Sequence, residues 1–255
     1  MTEQNTPRLK VFQFHKITRV FEFGGTSNTP EQFEAFVKMI VAAGHVPIVP
    51  SDLDKPQGPR PVIISFDDGY HSLHEHALPI LLKHRVKALV FLITGYIGRK
   101  NVWDLALFGH REQHLNWPEI KAMRRAGIEF GSHTVTHADL TRLSDEQLDD
   151  ELGRSKEVIE EKIGPIDSIS FPFNRTSERV KTAAIKAGYR YGFGGFTNNS
   201  FPMAIYKDAV YITDNRRSLR VKLTESPRLV YRYECVKSRI INLFSMTTEL
   251  VRRYG

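Results

Sequence analysis

Short runs rich in β-branched and aromatic residues alternate with amphipathic helical patterns along most of the chain. Eight such runs lie at residues 10–15, 46–50, 62–66, 87–93, 128–132, 167–173, 189–194 and 209–213. Strands that alternate with helices predict a parallel sheet, and about eight such units predict a barrel. We therefore expect an α/β fold organised as a (β/α) barrel.

The chain is long enough for one large domain and is moderately basic. With 255 residues it suits one α/β domain better than two small ones, so we expect a single domain over 1–255. The net charge of +7 favours anionic partners, but the basic residues are dispersed and no nucleic-acid motif occurs, so nucleic acid is not expected. Basic residues are densest near the end, where residues 220–255 predict a basic helical extension.

The sequence shows neither a pattern typical of a secretory signal nor one typical of a membrane span. The first residues lack the apolar segment of a secretory signal, and the longest apolar run, 88–93, is too short to span a bilayer. A single cysteine, Cys235, excludes an internal disulfide. These features predict a cytoplasmic protein, leave a peripheral membrane association open, and give no oligomeric state.

Two adjacent carboxylates end the run at 62–66. Asp67 and Asp68 follow VIISF and precede a glycine. In a parallel barrel the carboxyl ends of the strands carry the chemistry. Other polar or turn-forming residues fall at the same end of their strands: His15, His133, Phe173 and Asn174. We therefore expect these groups to converge on one face of the barrel.

The segment HTVTH places His133 and His137 four residues apart. On one helical turn both imidazoles would face one way, which is a spacing typical of metal ligands. Two histidines and one strand-end carboxylate make an open site for a divalent ion, and the other carboxylate would then take a proton from water as general base. The residues alone do not decide which aspartate takes which role. A polar turn and ordinary surface histidines are the plainer alternative.

The segments SFDDGY, GSHTVTH and SFPFN resemble the first three motifs of the polysaccharide deacetylases, carbohydrate esterase family 4, also called the NodB-homology domain. The resemblance extends over a core of residues 8–213 and implies a distorted (β/α) barrel of about seven to eight strands. It implies Asp67 as the catalytic base. It implies Asp68, His133 and His137 as ligands of one divalent ion, for which we expect Zn²⁺, with Co²⁺ or Ni²⁺ as alternatives. The family hydrolyses an N-acetyl or O-acetyl group from a sugar and releases acetate.

Two departures from the family pattern concern catalytic groups. The third motif usually carries Arg-x-Pro, whose arginine steers the base, whereas Ser170 stands at that position here and Asn174 stands where glycine is usual. The usual late Leu-x-His motif, which supplies the general acid, is missing, because no histidine follows His137. The backbone of Asn174, with that of Phe173, is still expected to supply an N–H to the oxyanion.

The N-terminal segment VFQFHKI indicates another source for the acid. It resembles the opening of the circularly permuted branch of the family that acts on poly-N-acetylglucosamine, in which an early histidine takes the acid role. This resemblance implies His15 as the general acid, and a buried strand-end histidine is the alternative. Trp103 lies in a long loop on the predicted active face, where it would either stack on a sugar ring or pack within the loop.

Together these features predict a metal-dependent hydrolase that removes an N-acetyl group from an amino sugar in a surface polysaccharide, a glycolipid or their precursor. The expected partners are the N-acetylated sugar and, for the basic extension, a membrane surface or a glycan-assembly protein. One alternative is a deformylase or cyclic-ureide hydrolase of related fold. The other is a metal-binding or carbohydrate-binding homologue without activity, which the missing arginine and late histidine would favour.

Overall fold

The computed structural model describes residues 9–20, 25–55, 58–100, 112–195 and 201–245. The strands in these ranges are β1 (Lys10–Phe14), β2 (Lys16–Ile17), β3 (Ser27–Asn28), β4 (Val46–Pro47), β5 (Pro61–Phe66), β6 (Leu89–Leu92), β7 (Glu129–Ser132), β8 (Ser168–Ser170), β9 (Tyr191–Phe193) and β10 (Asp208–Ala209). The α-helices are α1 (Pro30–Ala42), α2 (Leu78–His84), α3 (Trp117–Arg125), α4 (Asp145–Ile163), α5 (Glu178–Lys186), α6 (Arg216–Thr224) and α7 (Arg228–Ser245).

Eight of the strands form one parallel sheet, which curls into a distorted barrel. Its order is β10-β1-β5-β6-β7-β8-β9, and β4 pairs separately with the start of β5. This confirms the predicted α/β barrel, and each of the eight predicted runs contains or overlaps one strand of the sheet. The run at 46–50 yields only the two-residue β4, because Pro47 and Pro50 have no N–H to donate to a ladder.

Side chains along each strand alternate between two faces of the sheet. Outward residues such as Phe12, Ile64 and Phe66 join the larger core against the helices. Inward residues form a smaller apolar cluster: Val11, Ile63, Leu89, Phe91, Tyr191 and Phe193. The same alternation turns Gln13 and Ser170, nearer the carboxyl ends of β1 and β8, to the inner side. The interior is therefore apolar at its base and polar towards the carboxyl ends of the strands.

The helix starts are fixed by side-chain caps. Thr29 caps α1 in a capping box with Gln32 and is followed by a proline, as the sequence predicts, and Gly44 ends this helix with φ +74°. Asn116 and Ser144 form the same capping box at α3 and α4. These caps satisfy backbone donors where each chain segment leaves a site-forming loop and enters a helix.

The predicted helical extension is confirmed as far as residue 245, and residues 246–255 lie outside the described ranges. Lys222 of α6 donates to the Ala209 carbonyl (2.6 Å) and to Asp214 (2.5 Å), and Lys237 of α7 donates to the other oxygen of Asp214 (2.5 Å). The Tyr231 hydroxyl lies 3.2 Å from both carboxylate oxygens of Asp208. Polar contacts thus fasten both helices to β10. No helix in the described ranges is both long enough and apolar enough to cross a membrane.

The buried Asp208 carboxyl is expected to make the free energy of unfolding depend on pH. Burial raises the pKa of Asp208 from its usual 3.8 to about 6, against the lowering effect of Lys222, Lys10 and the Tyr231 hydroxyl. Because the folded state holds the proton more tightly, the free energy of unfolding falls as pH rises from about 4 to about 6. We expect Asp208→Asn to raise the free energy of unfolding by about 1–3 kcal/mol at about pH 8 and to change it little at about pH 4.

Urea unfolding at the two pH values measures this difference. The matched control is Asp150→Asn, an exposed carboxyl on α4, which should leave the unfolding free energy unchanged at both. If Asp208→Asn changes the free energy of unfolding equally at both pH values, the charge of Asp208 is not the cause of the change.

Candidate active site

The predicted site residues lie beyond the carboxyl ends of four strands. His15 follows β1, Asp67 and Asp68 follow β5, His133 follows β7, and Phe173 and Asn174 follow β8. Because parallel strands end at the same edge of the barrel, these loops meet there. Trp103 lies outside the described residues, so its contact with sugar stays a prediction.

The three predicted metal ligands are buried and converge on one point. Asp68, His133 and His137 are 5%, 1% and 8% exposed. Oδ1 of Asp68 lies 3.4 Å from Nε2 of His133 and 3.7 Å from Nε2 of His137, and one donor atom from each residue lies within 4.8 Å of the others. Tetrahedral coordination with bonds of about 2.1 Å places ligand atoms about 3.4 Å apart. One carboxylate and two imidazoles at these spacings fit a divalent ion and leave a coordination position open.

His133 is held in the form that a metal ligand requires. Its Nδ1 lies 2.7 Å from the Ser170 carbonyl, to which it donates, so the lone pair is on Nε2 facing Asp68. Burial lowers the pKa of His133 to about 4, although Asp67 acts to raise it. The imidazole is therefore neutral near pH 7 and ready to coordinate.

The segment between the two histidines is not a helical turn, the arrangement in which their spacing would bring both imidazoles to one side. Residues 133–139 are irregular, and Thr134 and His137 have φ of +69° and +61°. The buried Glu151 carboxylate of α4 accepts the N–H groups of Val135 (2.8 Å) and Thr136 (3.0 Å). That clamp replaces helical hydrogen bonds and folds the loop so that both imidazoles still face Asp68.

The two carboxylate oxygens of Asp67 differ in their hydrogen bonds, and Oδ2 also lies 3.7 Å from Nε2 of His133. Oδ2 accepts hydrogen bonds from Lys207 Nζ (2.6 Å), Gln13 Nε2 (2.7 Å) and Ser170 Oγ (3.1 Å). Oδ1 is buried and has no hydrogen-bond partner in the described part of the chain. An unpartnered buried carboxylate oxygen is costly unless a ligand or water meets it, so Oδ1 is the atom placed to take a proton.

The charges around Asp67 keep it ionised. Burial acts to raise its pKa, but Lys207, His133 and His15 outweigh that effect and hold the pKa below its usual range. Burial lowers the pKa of Lys207, and the adjacent Asp67 opposes this. We take the pair as ionic near pH 7, because each charge is the main compensation for burying the other.

Comparison with known proteins places this geometry in a family. A family model described as polysaccharide deacetylase matches residues 54–192, which include all four of Asp67, Asp68, His133 and His137. The chain belongs to the polysaccharide deacetylase family. This confirms the resemblance seen in the sequence motifs.

Two sequence relatives and one solved structure show the extent of the similarity. The Bacillus subtilis protein YxkH is 30% identical over 72% of this chain and 63% of its own length. The poly-β-1,6-N-acetyl-D-glucosamine N-deacetylase of Staphylococcus aureus is 28% identical over 52% of this chain and 47% of its own. The deacetylase PplD of Streptococcus pyogenes, solved with acetate, has the same fold (TM-score 0.71, 21% identity, 86% of this chain and 99% of that chain). The chain thus spans less than two thirds of the length of the curated relatives it matches.

Lys207 places a positive charge beside the residue that stands at the usual arginine position of the deacetylase motif. Its side chain is 0% exposed, and Nζ lies 2.6 Å from both Asp67 Oδ2 and Ser170 Oγ, the latter belonging to the residue at the usual arginine position. Arg175, later in the same loop, pairs instead with Asp139. Sequence reasoning missed Lys207, because it precedes β10 far along the chain, and a lysine before a strand carries no local signal of this role.

His15 directly follows β1 and is near enough to Asp67 for the two groups to interact electrostatically. It is partly buried, and its charge interacts with those of Asp67, Lys207 and His133. Burial lowers the pKa of His15 to about 4, although Asp67 acts to raise it. The imidazole is therefore neutral near pH 7 in the ligand-free site, and its role as general acid stays a prediction.

The two predicted oxyanion donors differ in the structure. The Asn174 N–H already donates to the Phe171 carbonyl (3.1 Å), and the Asn174 side-chain amide lies 3.5 Å from Gln13. Phe173 has φ +58°, and its ring packs edge-on against His137 at 4.7 Å between centroids. Phe173 is therefore the better placed of the two to meet a substrate held at the ligand cluster.

The ligand cluster predicts stoichiometric divalent metal in the purified protein. We expect elemental analysis to find about one ion per chain, and we expect His133→Ala/His137→Ala to lose it, since a site with one carboxylate left cannot hold the ion. The matched control is His74→Ala/His76→Ala, two histidines outside the cluster, which should keep the metal. Full metal content in the His133→Ala/His137→Ala variant would contradict the assignment of these two histidines as metal ligands.

Proposed function

We propose that this protein is a metal-dependent hydrolase that removes an N-acetyl group from an amino sugar and releases acetate. The observation that carries the proposal is the buried Asp67 carboxylate beside the three candidate metal ligands: Oδ2 lies 3.7 Å from Nε2 of His133, and Oδ1 has no hydrogen-bond partner among the described residues. A general base beside an open metal site is the arrangement that activates water for attack on an amide carbonyl. Membership of the deacetylase family supports the same reaction.

In this proposal each residue handles a defined proton or charge. A divalent ion held by Asp68, His133 and His137 would polarise the acetamido carbonyl and lower the pKa of water. Asp67 Oδ1 takes the proton of the attacking water, and Lys207 holds the carboxylate in place through Oδ2. The Phe173 N–H stabilises the negative charge that develops on the carbonyl oxygen.

The departing amine needs a proton, and His15 is our candidate to deliver it. Water adds its oxygen to the carbonyl carbon, the C–N bond breaks, and the proton removed from water must reach the amine nitrogen. Because His15 is neutral in the ligand-free site, it must gain this proton during the reaction, and Asp67 is the neighbouring group that has just accepted one. The two residues would therefore act in sequence.

The substrate class is also part of the proposal. The Staphylococcus aureus relative is named for its action on poly-β-1,6-N-acetyl-D-glucosamine. We infer an N-acetylated amino sugar within a surface polysaccharide, a glycolipid or their precursor. The chain matches about half of that relative, so the polymer itself is not transferred by similarity.

Acetate release from N-acetylglucosamine oligomers tests the proposed function. We expect the metal-loaded protein to release acetate, Asp67→Asn to lose at least about 10²-fold in kcat, and His15→Ala to lose about 10²–10⁴-fold, which is the contribution of a positioned acid or base. Both variants should retain the metal, because neither residue is a proposed ligand.

His45→Ala is the matched control, a partly buried histidine near β4 at the opposite end of the strands, and it should keep normal turnover. Near-normal turnover by His15→Ala would show that another group is the general acid. Release of formate from N-formyl sugars, with no acetate from N-acetyl sugars, would replace this proposal by a deformylase.

Lys207 generates a separate prediction about positioning of the base. We expect Lys207→Met to lower kcat by about 10²-fold with KM and metal content unchanged, because Asp67 Oδ2 loses its strongest anchor. Lys207→Arg should restore part of kcat, since a guanidinium can donate to the same oxygen. The measurement is steady-state kinetics together with elemental analysis.

Lys222→Met is the control for a merely structural effect. Lys222 is equally buried (1% exposed) and equally paired, with Asp214, but lies outside the site. Both methionine variants should lose about 3–5 kcal/mol of stability, the usual result of leaving a buried charge unpaired. For both variants kcat is calculated per folded molecule. If the two values are equal, Lys207 does not act by positioning Asp67.

A further inference from the structure

The outward face of α7 carries an apolar stripe. Leu229, Tyr233 and Val236 are 79%, 66% and 50% exposed. Their spacing of four and three residues places them on one side of the helix over successive turns. A single exposed apolar side chain is ordinary, whereas a contiguous stripe indicates a surface that meets a partner.

The inward face of the same helix makes polar contacts. Tyr231 meets the carboxylate of Asp208, and Lys237 meets Asp214 and Glu234. The usual amphipathic arrangement, apolar inward and polar outward, is therefore partly inverted in this part of α7. Since the polar contacts hold the helix in place, its apolar stripe stays presented to the outside.

Exposed arginines lie on α7 beside the stripe and on the preceding helix α6. Arg228 and Arg232 flank it along one edge of α7, and α6 adds Arg216, Arg217 and Arg220, all exposed. None of the five forms an ion pair with a described acidic residue, although the segment has three carboxylates: Asp214 with Lys222 and Lys237, Glu225 with Lys10, and Glu234 with Lys237. The three carboxylates are thus neutralised by lysines, and the unpaired charge on the outer surface of α6 and α7 is positive.

We propose that the α6–α7 surface binds peripherally to an anionic lipid bilayer. Leu229, Tyr233 and Val236 enter the headgroup boundary, and the arginines contact lipid phosphates, which is the combination that binds helices to membrane interfaces. Pairing with a second copy of the same surface would bring like charges together. Nucleic acid would use the arginines but would leave the apolar stripe in water. The proposal is independent of the catalytic one.

Vesicle flotation of the full chain tests the proposal. We expect binding to vesicles of phosphatidylcholine with phosphatidylglycerol, little binding to phosphatidylcholine alone, and weakening in about 1 M salt, where the Debye length is about 3 Å. Arg228→Gln/Arg232→Gln should lower the partition coefficient about 25-fold, since each basic residue near an anionic surface contributes about fivefold. Leu229→Ser/Tyr233→Ser should lower it about tenfold or more.

Two matched controls separate the surface from general charge and hydrophobicity. Lys121→Gln/Arg125→Gln removes two basic residues one turn apart on α3, and Leu82→Ser removes an apolar side chain that is 50% exposed on α2. Both should bind as the unchanged protein does, and circular dichroism should show every variant folded.

Three results would overturn the proposal. The first is equal binding to neutral and anionic vesicles. The second is a loss of binding in Lys121→Gln/Arg125→Gln as large as that in Arg228→Gln/Arg232→Gln. The third is a dimer in solution, by light scattering without lipid, that Leu229→Ser/Tyr233→Ser converts to a monomer, because the stripe would then be a contact between copies.

Discussion

The arrangement of charges at the carboxyl ends of the strands depends on the buried contact between the Lys207 ammonium and the Asp67 carboxylate. Neither charge is stable there alone, because removing an ion from water costs several kcal/mol. The contact uses Oδ2, to which Gln13 and Ser170 also donate, and this leaves Oδ1 without a hydrogen-bond partner in the described part of the chain. The pair therefore fixes the charge of Asp67, our proposed base, and anchors one of its oxygens through a lysine that precedes β10.

Backbone conformation at the strand ends adds a second constraint. Five of the seven non-glycine residues with positive φ in the described ranges belong to the site: Asp68, Thr134, His137, Phe173 and Asn174. Each left-handed residue costs about 1–3 kcal/mol unless its surroundings hold it. The Glu151 clamp and the bond from the Gly195 N–H to the Asn174 carbonyl (2.8 Å) are two such supports. The site is thus organised by the protein before any ligand arrives.

The sequence predicted what local patterns determine. Alternating strand and helix patterns indicated the barrel, and strand-end residues indicated Asp67, Asp68 and the histidines. Spacing alone did not assign the two aspartates, whereas the structure places Asp68 beside both imidazoles and Asp67 beside Lys207. Lys207 is 140 positions from Asp67, so only the fold brings them together. The spacing of the histidines in HTVTH also did not reveal the loop that holds them, because Glu151 of α4 accepts its N–H groups in place of helical hydrogen bonds.

The last sheet strand joins the site to the C-terminal helices. Lys207 and Asp208 are neighbours, and strand alternation sends the lysine inward to Asp67 and the aspartate outward to Tyr231 of α7. A two-residue strand with one pairing partner, β1, has little hold of its own, so these contacts help to keep β10 in register. The extension is therefore part of what holds Lys207, the partner of our proposed base Asp67, in place, even though none of its own described side chains enters the site.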